Sequence, residues 1–122
     1  MKNVKKRFDR SAEDLGNVVG LEHVNLIVPD HQVATMFYIT GLGFTRDPFL
    51  NTGTRNMWVN MGRSQFHLPM AMPGQAAQVV RGHVGMVVPD TAAVAQTLGM
   101  IQEPLKKTRF AFKVRNSRID VT

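Results

Sequence analysis

The strongest pattern along the chain is a short alternation of apolar and mixed positions that occurs twice. Leu21-Glu22-His23-Val24-Asn25-Leu26-Ile27-Val28-Pro29-Asp30 returns 60 residues later as Arg81-Gly82-His83-Val84-Gly85-Met86-Val87-Val88-Pro89-Asp90, with five of the ten positions identical. A fixed offset in this range marks a duplicated structural unit. Side chains alternate between the two faces of a strand. Val24, Leu26 and Val28 therefore share one face and His23, Asn25 and Ile27 the other; in the second copy Val84, Met86 and Val88 lie opposite His83, Gly85 and Val87. The all-apolar face is expected to meet a helix, and the histidine face to form the wall of a cavity. Pro cannot continue a central ladder and Asp is a good helix N-cap, so each copy reads as a strand, about 21–28 and 81–88, that turns into a helix.

The remaining pattern fills in two units. After Asp30, Val33, Phe37 and Thr40 give a helical stripe to about Thr40, stopped by Gly41 and Gly43. Phe44–Leu50, Arg55–Met61 and Arg63–Leu68 read as three strands, the first two joined by a turn at Asn51-Thr52-Gly53. Asn56, Trp58 and Asn60 share one strand face, and Gln65 and His67 share another opposite Phe66 and Leu68. The first unit, 21–70, is thus β-α-β-β-β, followed by a linker over 70–78 that contains Pro73-Gly74; Pro69 and the Met70-Ala71-Met72 run suit either a pocket rim or this linker. The second, 79–122, offers a helix over Thr91–Leu98 ended by Gly99, then two strands at Thr108–Val114 and Ser117–Thr122, and lacks a fourth strand by comparison with the first. Residues 1–20 form an N-terminal arm with a short helical turn at Ser11–Leu15. The fold class expected is α+β: two β-α-β-β-β units forming a concave mixed sheet with helices outside.

Composition changes this picture only at its edges. The 122 residues suit one domain or two fused small units. No apolar run approaches the length of a transmembrane helix, and no apolar segment follows the basic start as in a secretory signal. The absence of cysteine excludes disulfides, thiolate nucleophiles and thiolate metal sites. A cytoplasmic location is the default expectation. The net charge of +6 gathers in the arm (Lys2, Lys5, Lys6, Arg7) and between Lys106 and Arg118. Without any nucleic-acid-binding signature it reads as solvated ends, so neither nucleic acid nor membrane is expected as a partner.

Paired β-α-β-β-β units with His opening each first strand resemble the vicinal oxygen chelate superfamily, which includes glyoxalase I, extradiol dioxygenases and bleomycin-resistance proteins. The matching residues are His23-Val24 with Pro29-Asp30, Phe37-Tyr38 followed by Gly41-Leu42-Gly43-Phe44, Gln65-Phe66-His67-Leu68, and Gly82-His83-Val84. The resemblance implies a metal site in the concavity, with His23, His67 and His83 at ligand positions and a divalent ion (Fe, Zn, Ni or Mn) as cofactor. It also implies a final Glu on the fourth strand of the second unit, for which no residue is assignable: Glu22 has the opposite parity, Glu103 falls in a loop, and Asp120 is on another strand.

Three histidines can hold a catalytic zinc, so one expectation is a metal-dependent lyase, isomerase or dioxygenase acting on a small oxygen-chelating substrate. The alternatives are a metal-free protein of the bleomycin-resistance type that sequesters a small aromatic ligand, or an inactive fragment of a longer chain. Trp58, Asn60 and Gln65 are the candidate ligand-binding residues. Arg55 reads first as a solvated charge and second as a contact for an anionic substrate. His31 is expected at the surface. A homodimer is expected because an uncovered sheet edge in the second unit invites pairing with another chain.

Overall fold

The structure, a computed structural model, describes residues 2–3, 20–48, 55–75, 81–115 and 118–121. The helical turn expected at 11–15, the turn at 51–53 and part of the 70–78 linker lie outside the described residues. In chain order the elements are β1 (Lys2–Asn3), β2 (His23–Asn25), α1 (His31–Ala34) continuing as a π-helical segment (Thr35–Gly41), β3 (Thr45–Arg46), β4 (Trp58–Met61), β5 (Ser64–His67), β6 (Val87–Val88), α2 (Thr91–Leu105), β7 (Phe112–Arg115) and β8 (Arg118–Val121). The fold is α+β, as expected.

The first unit is β-α-β-β-β. Its mixed sheet has the order β2-β5-β4-β3, in which β2 runs parallel to β5 and the other neighbours are antiparallel. The register sets His23 beside Gln65, Asn25 beside His67, Trp58 opposite His67 and Asn60 opposite Gln65. Period-two alternation then sends Val24, Val59 and Phe66 to the opposite face, where Val59 and Phe66 are buried with Val28, Ala34, Met57 and Leu68. Two further hydrogen bonds, Leu26 N–H to His67 O and Val28 N–H to Pro69 O, each 2.9 Å, carry the β2–β5 pairing past the end of the strand.

The helix after Asp30 starts as the sequence predicts. Asp30 Oδ1 accepts from Gln32 N–H at 2.7 Å and from Val33 N–H at 3.3 Å. His31, expected at the surface, is half-buried: its position just past the cap lays the ring over the end of β5, where Nε2 is 2.7 Å from the carbonyl of Leu68. The π-helical segment ends at Gly41. A Cβ there would stand 2.7 Å from Ile101 Cδ1 and 2.9 Å from Leu98 Cδ2. Glycine lets the two helices approach, and the Thr97 hydroxyl donates to the Gly41 carbonyl at 2.6 Å.

The second unit departs from the sequence expectation in two places. The strand foreseen at 81–88 is reduced to Val87–Val88, which pairs in parallel with β1. The helix foreseen to stop at Gly99 runs on to Leu105, so Glu103 is helical rather than in a loop. Leu98, Ile101 and Leu105, spaced three and four apart, are buried against Phe37 and Phe112 in a second core. Burial of three large side chains outweighs the roughly 1 kcal/mol that glycine costs inside a helix. Strands β7 and β8 form an antiparallel hairpin that closes this core through Phe112, Val114 and Ile119. Among the described residues no helix is long and apolar enough to cross a membrane.

Candidate functional site

The face of the first-unit sheet opposite the core carries the residues singled out for chemistry. His23 and Asn25 come from β2, Trp58 and Asn60 from β4, and Gln65 and His67 from β5, all with the same parity. Trp58, Asn60, Gln65 and His67 are half-buried, and His23 and Asn25 are exposed, so this is an open face rather than a sealed cavity.

An aromatic row runs across it. Trp58 and His67 are stacked, with ring centroids 4.2 Å apart and planes inclined by 5°. His23 meets Trp58 edge-on at 4.9 Å and lies 6.4 Å from His67. This stacking follows from the register: Trp58 and His67 are directly opposed on an antiparallel pair, where facing side chains approach most closely.

Amide side chains fix the row. Asn25 Nδ2 donates to His67 Nδ1 at 3.1 Å, and His67 Nε2 lies 2.9 Å from Asn56 Oδ1. The two bonds are compatible only with the neutral ring protonated at Nε2, since Nδ1 accepts and Nε2 donates. Partial burial lowers the His67 pKa below its ordinary value, and the neighbouring His23 lowers it further. Next along the sheet, Gln65 Nε2 donates to Asp47 Oδ2 at 2.7 Å and to Asn60 Oδ1 at 2.8 Å, and Asn60 Nδ2 donates to Thr45 Oγ1 at 3.2 Å. Gln65 and Asn60 are therefore tied to each other and to β3.

A cleft of about 360 Å³ opens beside this face. Asn25 and Asn56, the two amides that hold His67, form one wall; Ile27, Pro69, Met70 and Met72 supply an apolar lining; Arg55 and Gln75 also line it. Proline and the Met70-Ala71-Met72 run gave the sequence signal for this rim. The signal was ambiguous because the same residues suit a linker.

His83 does not join the other two histidines. It is exposed, lies outside the four-stranded sheet, and sits in a stretch without strand structure. Its copy of the repeat has no counterpart of β5 among the described residues to pair with, so strand parity cannot aim its ring. Among the described residues no three His, Asp or Glu side chains group closely enough to hold a metal ion. A catalytic zinc takes three protein ligands. The donor set described here offers two, and one of them, His67, has both ring nitrogens in hydrogen bonds. By themselves these residues do not fit the metal implied by the family resemblance.

No protein-family model matches the chain, and no curated protein matches it significantly. Solved structures do. A glyoxalase family protein from Bacillus anthracis superposes with a TM-score of 0.57 at 18% identity, over 84% of this chain and 80% of that one. A member of the glyoxalase/bleomycin resistance protein/dioxygenase superfamily from Sphaerobacter thermophilus gives 0.48 at 17% identity, over 80% and 77%. An integron cassette protein from the mobile metagenome of Vibrio cholerae gives 0.48 at 14%, over 88% and 85%. At such identities the likeness is one of fold, and the first structure carries it: this chain has the glyoxalase-like fold of the vicinal oxygen chelate superfamily.

Proposed function

We propose that the open face of the first-unit sheet binds a small planar ligand, and that the protein acts by holding that ligand rather than through a metal ion. The observation that carries this reading is the pinned aromatic row. Trp58 and His67 lie parallel and 4.2 Å apart, with His23 against the edge of Trp58 and asparagine amides on both nitrogens of His67. A preorganised aromatic surface keeps the ordering cost of binding low, and the neighbouring thioethers of Met70 and Met72 suit an aromatic guest. Trp58 is the wall, Asn60 and Gln65 supply polar contacts at one end, and Asn25 and Asn56 lead into the cleft.

Trp58 is the single tryptophan of the chain, so its emission reports this face alone. Titration with the non-fluorescent planar probe 4-nitrobenzamide is expected to quench it saturably, with the same affinity in calorimetry. Quenching that never saturates, with no heat of binding, contradicts the reading.

The metal-dependent reading is second, favoured by the placement of His23 and His67 on one face with ring centroids 6.4 Å apart. It needs a further donor from outside the described residues, and it predicts about one equivalent of divalent metal in freshly purified protein, as expected for a single catalytic centre. The ligand-holding reading predicts far less than one.

A further inference from the structure

Among the described residues, the cleft beside the aromatic row has one charged residue in its lining, Arg55. The carboxylates nearest in the chain are committed elsewhere. Glu22 lies against His23, Asp30 caps α1, and Asp47 accepts from Gln65. Among the described residues Arg55 makes no ion pair, and the hydrogen bond found for its guanidinium is to the thioether of Met72, at 3.2 Å. Sulfur is a weak acceptor, whereas a guanidinium presents five donors in a fork shaped for two oxygens. The other described side chains lining the cleft are apolar or uncharged amides, so an anion placed there meets no opposing negative charge from them.

We infer that the ligand is an anion, a planar or apolar body carrying a carboxylate or similar oxyanion, and that Arg55 holds its charged end. With the oxyanion on Arg55, the body runs from Ile27, Pro69 and Met70 past Asn25 and Asn56, which orient its polar edge, toward the Trp58–His67 row. Asn56 follows Arg55 in the chain and hydrogen-bonds His67, so the anion contact and the aromatic row are positioned by the same short segment. The inference rests on the ligand-binding reading above but is tested separately from it.

Two matched probes are titrated calorimetrically into the wild-type protein and into Arg55→Met, which keeps an apolar side chain of similar length: neutral 4-nitrobenzamide and anionic 4-nitrobenzoate. In the wild type the anion is expected to bind about tenfold tighter, the size of one charge-assisted hydrogen-bonded contact. In Arg55→Met the ratio should fall to about one, and raising the salt concentration should erode the wild-type preference. Equal affinity for the two probes in the wild type, or a preference that survives in Arg55→Met, overturns the inference while leaving the binding face intact. Failure of both probes to bind saturably overturns both.

Discussion

The two copies of the decapeptide are a comparison the molecule makes with itself. Both end in Pro-Asp, and both aspartates cap a helix with nearly the same geometry: Asp30 at φ −148° and ψ 118°, Asp90 at φ −146° and ψ 110°, each accepting from the backbone N–H groups two and three residues on. The strands before them differ. His23-Val24-Asn25 pairs with Gln65-Phe66-His67 and aims its histidine at Trp58, whereas His83-Val84-Gly85 is exposed and unpaired in the sheets described. A helix cap is a local device, complete within four residues. A strand is not: its hydrogen bonds belong to a neighbour, and without one the same sequence has no defined face. The site follows the strand that found its partner.

Substitutions can break this contrast, and the largest effect is expected in the core under the first-unit sheet. Phe66, 2% exposed, packs edge-on to Tyr38 and Phe44 beneath the first copy. Phe66→Ala should lower stability by about 3–5 kcal/mol in urea unfolding. Val87→Ala, at a residue 68% exposed in the second copy, should stay within about 0.5 kcal/mol.

The caps sharpen the contrast by being alike. Asp30→Ala and Asp90→Ala should each cost about 1 kcal/mol, and a large difference between them would show that the equivalence of the two turns is superficial. At matched strand positions the copies should part again. Val24, half-buried on the first core, should cost about 1 kcal/mol on truncation to Ala, by loss of buried methyl groups; Val84, 51% exposed, should cost close to nothing.

The smallest effect is on pH dependence. The folded pKa of His67 is lowered by burial and by His23, so the unfolded chain binds more protons in the interval between the folded value and the ordinary 6.5. Stability from this group is complete above about pH 6.5 and is lost as pH falls through the folded pKa. His67→Gln should flatten that acid limb of the stability profile, measured as the urea midpoint against pH.

Much of this was legible in the chain because it is local. Parity placed His23, Asn25, Trp58, Asn60, Gln65 and His67 on apolar-opposed faces, and the register then merged those faces into one. The Pro-Asp boundaries located both helix starts. What misled was also local. Gly99 reads as a stop, yet Leu98, Ile101 and Leu105 carry the helix past it by burial against Phe37 and Phe112, a tertiary gain that a glycine signal does not contain. His83 shares its sequence context with His23, and only pairing distinguishes them. Asn56 and Arg55 were visible as residues, but their role at the edge of His67 depends on how β4 and β5 are brought together.

The measurement that tests the central claim most directly is the binding of 4-nitrobenzoate to His67→Ala and His83→Ala, compared by calorimetry with the wild type. His67→Ala, which removes the ring that stacks on Trp58 and holds Asn25 and Asn56, should weaken binding by up to about tenfold, the scale of an aromatic pair, and His83→Ala should bind as the wild type does. Equal losses in the two variants, or a loss confined to His83→Ala, would contradict the assignment of the site to the first copy.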